Sequence, residues 1–341
     1  MVVSLLSERD GHALDSAHVA SALCGLDPAH LVGWIAMVGD EPAGLTTMYT
    51  RDQRWGDRTI RAGYWSHLFV REEFRRLMVY PQLVLAMMRG IRPLGIDGIF
   101  TGTRRPHVAE GHVKLGFAKL GEYRVLYKPL RPFRLLARYK DWPALLHAAA
   151  APGDGLYGAY LGLRRGRAPA GLSLRAAERA DAAIDALAAL LNAAGQGRIS
   201  QVWSAESLRR RLARTIDGYD YRVLVAERGG RVVGGAVYRL TIRERVAAGI
   251  VMELIADRAE PGAIPALLGE LERRVRTEGA DTTLYLDGLE PATNAMLAAA
   301  GHRTSNETYQ MLVWPRTLVP AGAGAADLAN WRFSFLDHDA F

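Results

Sequence analysis

Hydrophobic and polar positions run through the same order twice along this chain. From residue 31, apolar-rich runs (HLVGWIAMVGDEPAGLTTMYT) read as a β-hairpin, because Gly39 and Asp40 supply the positive φ of a two-residue turn between β-favouring residues. A strand into a turn and helix follows (GYWSHLFVREEFRRLMVYPQLVLAMMRG), then a strand (DGIFTGT), a short helix (RPHVAEGHVKLGF) and a strand (YRVLYKPL). Between 222 and 314 the order recurs: a hairpin turning on Gly229 and Gly230, strand GIVMELIAD, helix PGAIPALLGELERRV, strand DTTLYLDG, helix EPATNAMLAAAGH and strand YQMLVWP. A repeat on this scale decides the fold of the whole chain.

The pattern between and beyond the repeats predicts four segments: an N-terminal domain over 1–130, a connector over 131–171, a C-terminal domain over 172–316 and a tail over 317–341. In the connector, RPFRLLARYKDWPALLHAAA reads as an amphipathic helix interrupted by proline, and LYGAYLGL as a short strand among Gly and Pro. The second domain opens on an Ala-rich helix, SLRAAERADAAIDALAALLNAAG, closed at Gly195. A further helix starts at Ser204, with Ser207 completing only part of a capping box. The tail is low in complexity at AGAGAADL, then dense in aromatic and acidic residues at NWRFSFLDHDAF. Disordered tails are poor in aromatics, so this one is expected to dock on a domain surface.

Composition narrows this picture only a little. The 341 residues, 49% hydrophobic and 23% charged, are ordinary for a globular protein with room for two cores. No apolar run is long enough to span a bilayer, and the N-terminus lacks a basic region followed by a long apolar core, so neither membrane nor secretion is expected. One cysteine, Cys24, excludes an intramolecular disulfide framework and fits a reducing cytoplasm. The net charge of +7 comes almost wholly from arginine, with lysine only at Lys114, Lys119, Lys128 and Lys140. Together with abundant Ala and Gly this matches GC-rich, bacterial coding more than a DNA-binding face, and a phosphate-rich ligand draws on the same charge. No metal site is expected: Asp337, His338 and Asp339 are adjacent, and neighbours on a strand point to opposite faces.

The doubled order resembles the GCN5-related N-acetyltransferase (GNAT) superfamily, present here in tandem. The resemblance implies an α/β (α+β) fold of two GNAT-like domains, each a mixed, mostly antiparallel sheet flanked by helices. It implies acetyl-CoA or another acyl-CoA as co-substrate, with no metal. In the family, the turn after the fourth strand holds the pyrophosphate on backbone N–H groups and a helix N-terminus, the general anion-binding arrangement. In FVREEFRRLMVYPQLVL that position maps to Phe69, Val70, Arg75, Arg76, Met78, Val79 and Tyr80, with Arg75 at the family's Arg/Gln and Met78 and Tyr80 in place of its small residues. The second domain keeps Gly262 but has Ala259 and Ile264 at the other positions, and Pro261 and Pro265 remove N–H donors. The family's tyrosine general acid maps to His112 in the first domain and to Leu297, which has no proton to give, in the second. The fourth-strand base maps to His67 and to Glu253. His67 and His112 are then expected on either side of the place where donor and acceptor meet. Tyr64 and Trp65 are candidate walls of the acceptor pocket, and Asp337 a candidate ligand for the amine.

Three readings stand at this point. The first is an acyltransferase of specialised metabolism moving an acetyl or other acyl group from a CoA thioester to a primary amine of a small molecule, as monomer or homodimer. The second is a Fem-type transferase that takes its acyl group from an aminoacyl-tRNA, which the missing glycines and positive charge favour. The third is a non-catalytic binding protein on a GNAT fold.

Overall fold

A computed structural model of the protein describes residues 1–10, 30–140, 143–164, 168–213, 215–216, 219–243, 245–318 and 327–338. Cys24 and Asp339 lie outside these residues. The helices are α1 (Val2–Asp10), α2 (Val79–Gly90), α3 (Pro106–Lys114), α4 (Pro132–Tyr139), α5 (Ala144–Arg164), α6 (Ala183–Ala194), α7 (Ala205–Leu212), α8 (Ala263–Thr277) and α9 (Pro291–Ala299). The strands of the first repeat are β1 (Leu31–Val38), β2 (Glu41–Trp55), β3 (Arg58–Val70), β4 (Gly98–Thr103) and β5 (Ala118–Pro129). Then come β6 (Leu172–Ala177) and the short β7 (Ser200–Gln201), β8 (Thr215–Ile216) and β9 (Tyr219–Asp220). The second repeat contains β10 (Arg222–Arg228), β11 (Arg231–Arg243), β12 (Val246–Ala256), β13 (Thr282–Leu286) and β14 (Arg303–Trp314).

Turn chemistry explains both hairpins. Gly39, Gly229 and Gly230 all take positive φ, which an L side chain resists. Each hairpin carries a bulge at the same place, between Ala36 and Met37 and between Ala226 and Glu227. Further along, β3 gains an extra residue opposite Leu45–Thr47, and β12 gains one opposite Val237–Tyr238. In each repeat the next pairing is parallel and only three residues long: Ala62–Tyr64 beside Gly98–Phe100, and Ala248–Ile250 beside Thr282–Leu284. Beyond those residues the strands part.

The sheet is mixed and mostly antiparallel with helices on it, as expected, but the two repeats share one sheet. Its order is β1-β2-β3-β4-β14-β5-β13-β12-β11-β10-β6, with β7 against β2. The last strands are exchanged. β14 of the second repeat pairs with β4 of the first (Trp314 opposite Ile99), and β5 of the first pairs with β13 of the second (Pro129 opposite Thr282). β5 and β14 pair with each other between them, Tyr123 opposite Tyr309.

One core face belongs to both repeats: Tyr49, Tyr64, Phe100 and Tyr123 pack with Leu187, Val237, Ile250, Tyr309, Trp331 and Phe333. Two further cores lie under helices, Met48, Trp65, Val84, Met87 and Phe117 in the first half, and Leu254, Leu267, Leu271 and Leu297 in the second.

Three local expectations differ. LYGAYLGL is helical, within α5, which packs against α4 and carries Pro152 inside it. Leu172–Ala177, expected to begin the Ala-rich helix, is an edge strand paired with β10, and the helix starts at Ala183. The capping box of α7 is complete, since the Ser207 hydroxyl accepts from Ser204 N–H and the Ser204 hydroxyl from Ser207 N–H. Residues 327–338 of the tail are docked: Trp331, Phe333, Phe335 and Leu336 are buried, and Ile199 exchanges backbone hydrogen bonds with Asn330 and Arg332. Among the described residues no helix is long and apolar enough to cross a membrane, and no group of three potential metal ligands gathers.

Candidate active site

The gap where β3 and β4 part is bordered by the β3 bulge. His67 sits in that bulge with φ of 49°, a left-handed conformation unusual for a residue with a Cβ. Thr101 Oγ1 donates to the Trp65 carbonyl across the opening at 3.0 Å. Strand alternation sends Tyr64 to the shared core and Trp65 to the core under α2 and α3. The two histidines therefore belong to opposite faces of the sheet.

His67 faces α1 and Tyr49. Its Nδ1 lies 2.7 Å from Nη1 of Arg9 and its Nε2 lies 3.2 Å from the Tyr49 hydroxyl. A guanidinium only donates, so Nδ1 accepts and Nε2 carries the proton toward Tyr49. The lone pair a base would use is held by Arg9. Leu5 and Leu6 of α1 pack on Leu45 and Phe69, and Glu8 pairs with Arg71 at 2.7 Å, which keeps Arg9 in place.

His112 lies on the other face, against Trp65 with ring centroids 4.2 Å apart. Burial pushes its imidazole down to about 4, so it is neutral at physiological pH. Burial pushes the neighbouring Tyr80 hydroxyl up to about 12, so it keeps its proton. A neutral imidazole is a poor general acid. The group beside it that retains a proton is Tyr80.

The turn into α2 runs through a short 3₁₀ segment, Glu72–Leu77, and Met78 takes the left-handed conformation at φ 57° that glycine usually supplies. Arg75, Arg76 and Met78 are exposed, Phe69 and Val70 half-buried, and Val79 buried beneath the helix. The N–H groups of Val79 and Tyr80 lie in the first turn of α2, where no intrahelical acceptor exists. With two exposed arginines beside them, these residues suit a phosphate group.

Glu253 and Asp337 have other partners. Glu253 is buried and accepts two bonds from Arg332, at 3.0 and 2.7 Å, while Arg332 also reaches Glu290 at 2.8 Å. Burial pushes the Glu253 carboxyl up, and Arg332 pulls it back. The Asp337 carboxylate caps its own turn, accepting from Ser334 N–H at 2.8 Å. The Tyr64 hydroxyl meets Nδ1 of buried His338.

Two of the candidates, Tyr64 and Asp337, meet at the seam between the halves on the shared face, beside residues that sequence reasoning missed. A cavity of about 320 Å³ opens there, lined by Tyr49, Arg51, Tyr64, Gln201, Trp203 and Asp337 among others. Arg51 stacks over Tyr64 and Phe100 and donates to Gln201 Oε1 at 2.6 Å and to the Asp337 carbonyl at 2.9 Å. Arg9, Arg51 and Arg332 carried no local signal, because their partners lie 42 to 286 residues away.

This arrangement of parted parallel strands, a bulged third strand and a helix starting at the turn, twice over, is the fold of the GCN5-related N-acetyltransferases. A GCN5-related N-acetyltransferase from Anabaena variabilis aligns with a TM-score of 0.63 at 10% identity, over 91% of this chain and 68% of that one. One from Kribbella flavida aligns at 0.58 and 16% identity, over 92% and 68%. N-myristoyltransferase of Saccharomyces cerevisiae with bound myristoyl-CoA aligns at 0.59 and 12% identity, over 88% and 80%. No protein-family model and no curated protein matches the sequence.

Proposed function

We propose that the protein is an N-acyltransferase that takes an acyl group from a CoA thioester and gives it to a primary amine of a small molecule. The observation that carries this reading is the parting of β3 and β4 beyond Tyr64 and Phe100, beside a bulge whose backbone no longer pairs fully with β2. Freed strand N–H groups at such a place polarise a thioester carbonyl as an oxyanion hole does. The phosphates of the donor fit the exposed Arg75 and Arg76 and the N–H groups of Val79 and Tyr80.

The acceptor enters from the shared face, through the cavity between Tyr49, Tyr64 and Gln201. His67 takes the proton of the attacking ammonium once Arg9 withdraws from Nδ1. The amine nitrogen bonds to the carbonyl carbon, the C–S bond breaks, the departing thiolate takes a proton from Tyr80, which His112 orients, and the proton the nitrogen sheds as the amide forms returns through solvent to the Tyr80 oxygen.

Calorimetric titration with acetyl-CoA, longer acyl-CoAs and free CoA tests the donor. One site, weakened by Arg75→Ala, supports the reading and sends the search to amine acceptors. No heat with any of them sinks it and makes an aminoacyl-tRNA the donor to try, with binding that falls steeply with salt.

A further inference from the structure

A second cavity, of about 570 Å³, lies in the other half of the molecule, between β5, α5, α8 and α9. It is the size of a ligand pocket. Its walls include the apolar and aromatic side chains of Tyr127, Tyr157, Leu161, Leu268 and Met296.

Two charged residues line it as well, and both are nearly buried: Lys128 is 7% exposed and Glu272 6%. Lys128 Nζ donates to both carboxylate oxygens, at 2.9 and 2.7 Å. An ammonium has three hydrogens, so one is left for an acceptor in the cavity. Neutral His302 gives the carboxylate nothing: its ring proton sits on Nδ1 and goes to the Leu297 carbonyl at 3.0 Å, and Nε2 only lies 3.7 Å from Oε1. His302 adds no charge, because burial and nearby Lys128 push it down to about 3. The ion pair is neutral as a whole, so the preference of the cavity is set by the spare ammonium hydrogen and by the cation at its edge. Arg303, exposed, stands at its edge and adds a second cation.

The rim is apolar. Tyr160 lines the cavity and is 44% exposed, and on the same face of α5 Leu156 and Leu163 are 76% and 88% exposed. Large aliphatic side chains so exposed beside an opening favour a ligand with a hydrocarbon body.

We infer that this cavity binds an aliphatic carboxylate, its carboxyl group accepting from Lys128 and Arg303 and its chain lying against Leu161, Leu268, Met296 and the tyrosines. The site is separate from the gap between β3 and β4 and does not depend on the acyl-transfer reading.

The test is calorimetric titration of the full chain with octanoate, decanoate and laurate, and with decanol and decylamine as neutral and cationic controls. The carboxylates bind with affinity rising with chain length, decanol binds at least about tenfold more weakly, which is 1.4 kcal/mol, and decylamine does not bind. Met296→Trp, which fills the cavity from a half-buried helix position, abolishes binding, and Arg303→Ala weakens it several-fold. The paired change Lys128→Gln with Glu272→Gln keeps the shapes, removes both charges and lowers carboxylate binding to the level of decanol, with circular dichroism unchanged. Equal binding of decanol and decanoate would overturn the inference. So would binding unaffected by Met296→Trp, or no binding at any chain length.

Discussion

The Tyr80 hydroxyl lies 2.7 Å from Nδ1 of His112, and the two rings are stacked with centroids 6.0 Å apart. This contact ties the first turn of α2 to α3. A Cβ on Gly111 would come within 3.0 Å of the same hydroxyl, so the close approach depends on a glycine one residue before the histidine. Positions 80 and 112 thus bring one phenolic hydroxyl and one imidazole into direct contact. Tyr80→Phe removes that hydroxyl and little else. Its expected effect is a fall in kcat of about 10²-fold, the low end for loss of a general acid, with KM for the acyl donor nearly unchanged. Steady-state acyl-transfer assays of the variant and the parent protein check it.

Met78 holds a left-handed conformation at the start of α2, which costs a residue with a Cβ about 1–2 kcal/mol. Met78→Gly relieves that strain and strips an exposed side chain from the turn. Unfolding in urea is expected to show stability unchanged or raised, and acyl-CoA titration to show tighter binding.

Two histidines make stability depend on pH. His112 and His302 are pushed down to about 4 and about 3 by burial, against 6.5 in an unfolded chain. The unfolded chain takes up protons that the folded one refuses, so the contribution is complete above pH 6.5 and is lost as pH falls toward 4. Each is worth on the order of 3 kcal/mol across that window. Denaturant midpoints at pH 7.5 and 4.5 should differ markedly, and His112→Gln should narrow the difference.

Arg9 occupies the nitrogen through which His67 would act. Arg9→Met is expected to raise kcat/KM several-fold at neutral pH, and His67→Ala in the same background to abolish the gain. Equal rates for Arg9→Met and the parent would place the base elsewhere.

Glu253 anchors the tail. Glu253→Ala leaves Arg332 buried with only Glu290, a change expected to cost about 3–5 kcal/mol. Replacing both Glu253 and Arg332 by leucine should restore most of that loss. Thermal unfolding of the single and double variants measures it.

What could be read in the sequence follows the range of the interaction. The turns at Gly39 and Gly229–Gly230 were legible because positive φ is a local demand. The repeated order was legible because each strand and helix carries its own period. The helical state of LYGAYLGL was hidden, because its Tyr and Leu spacing fits either period and packing against α4 decides it. Edge strand β6 was masked by the Ala and Arg of SLRAA, residues that favour helix. The pairing of Glu253 with Arg332, and the placing of Arg9 on His67, have no local signature.

The exchange of β5 and β14 makes each half the other's scaffold. A polypeptide ending before residue 303 would present β4 and β5 as two open edges, each a template for aggregation. A chain cut within the connector after folding would lose no strand pairing and should stay assembled as two interlocked fragments. The two repeats are thus no longer separate units on one thread: neither can be shed, shuffled or replaced alone, and a change that weakens one last strand is felt first in the opposite half.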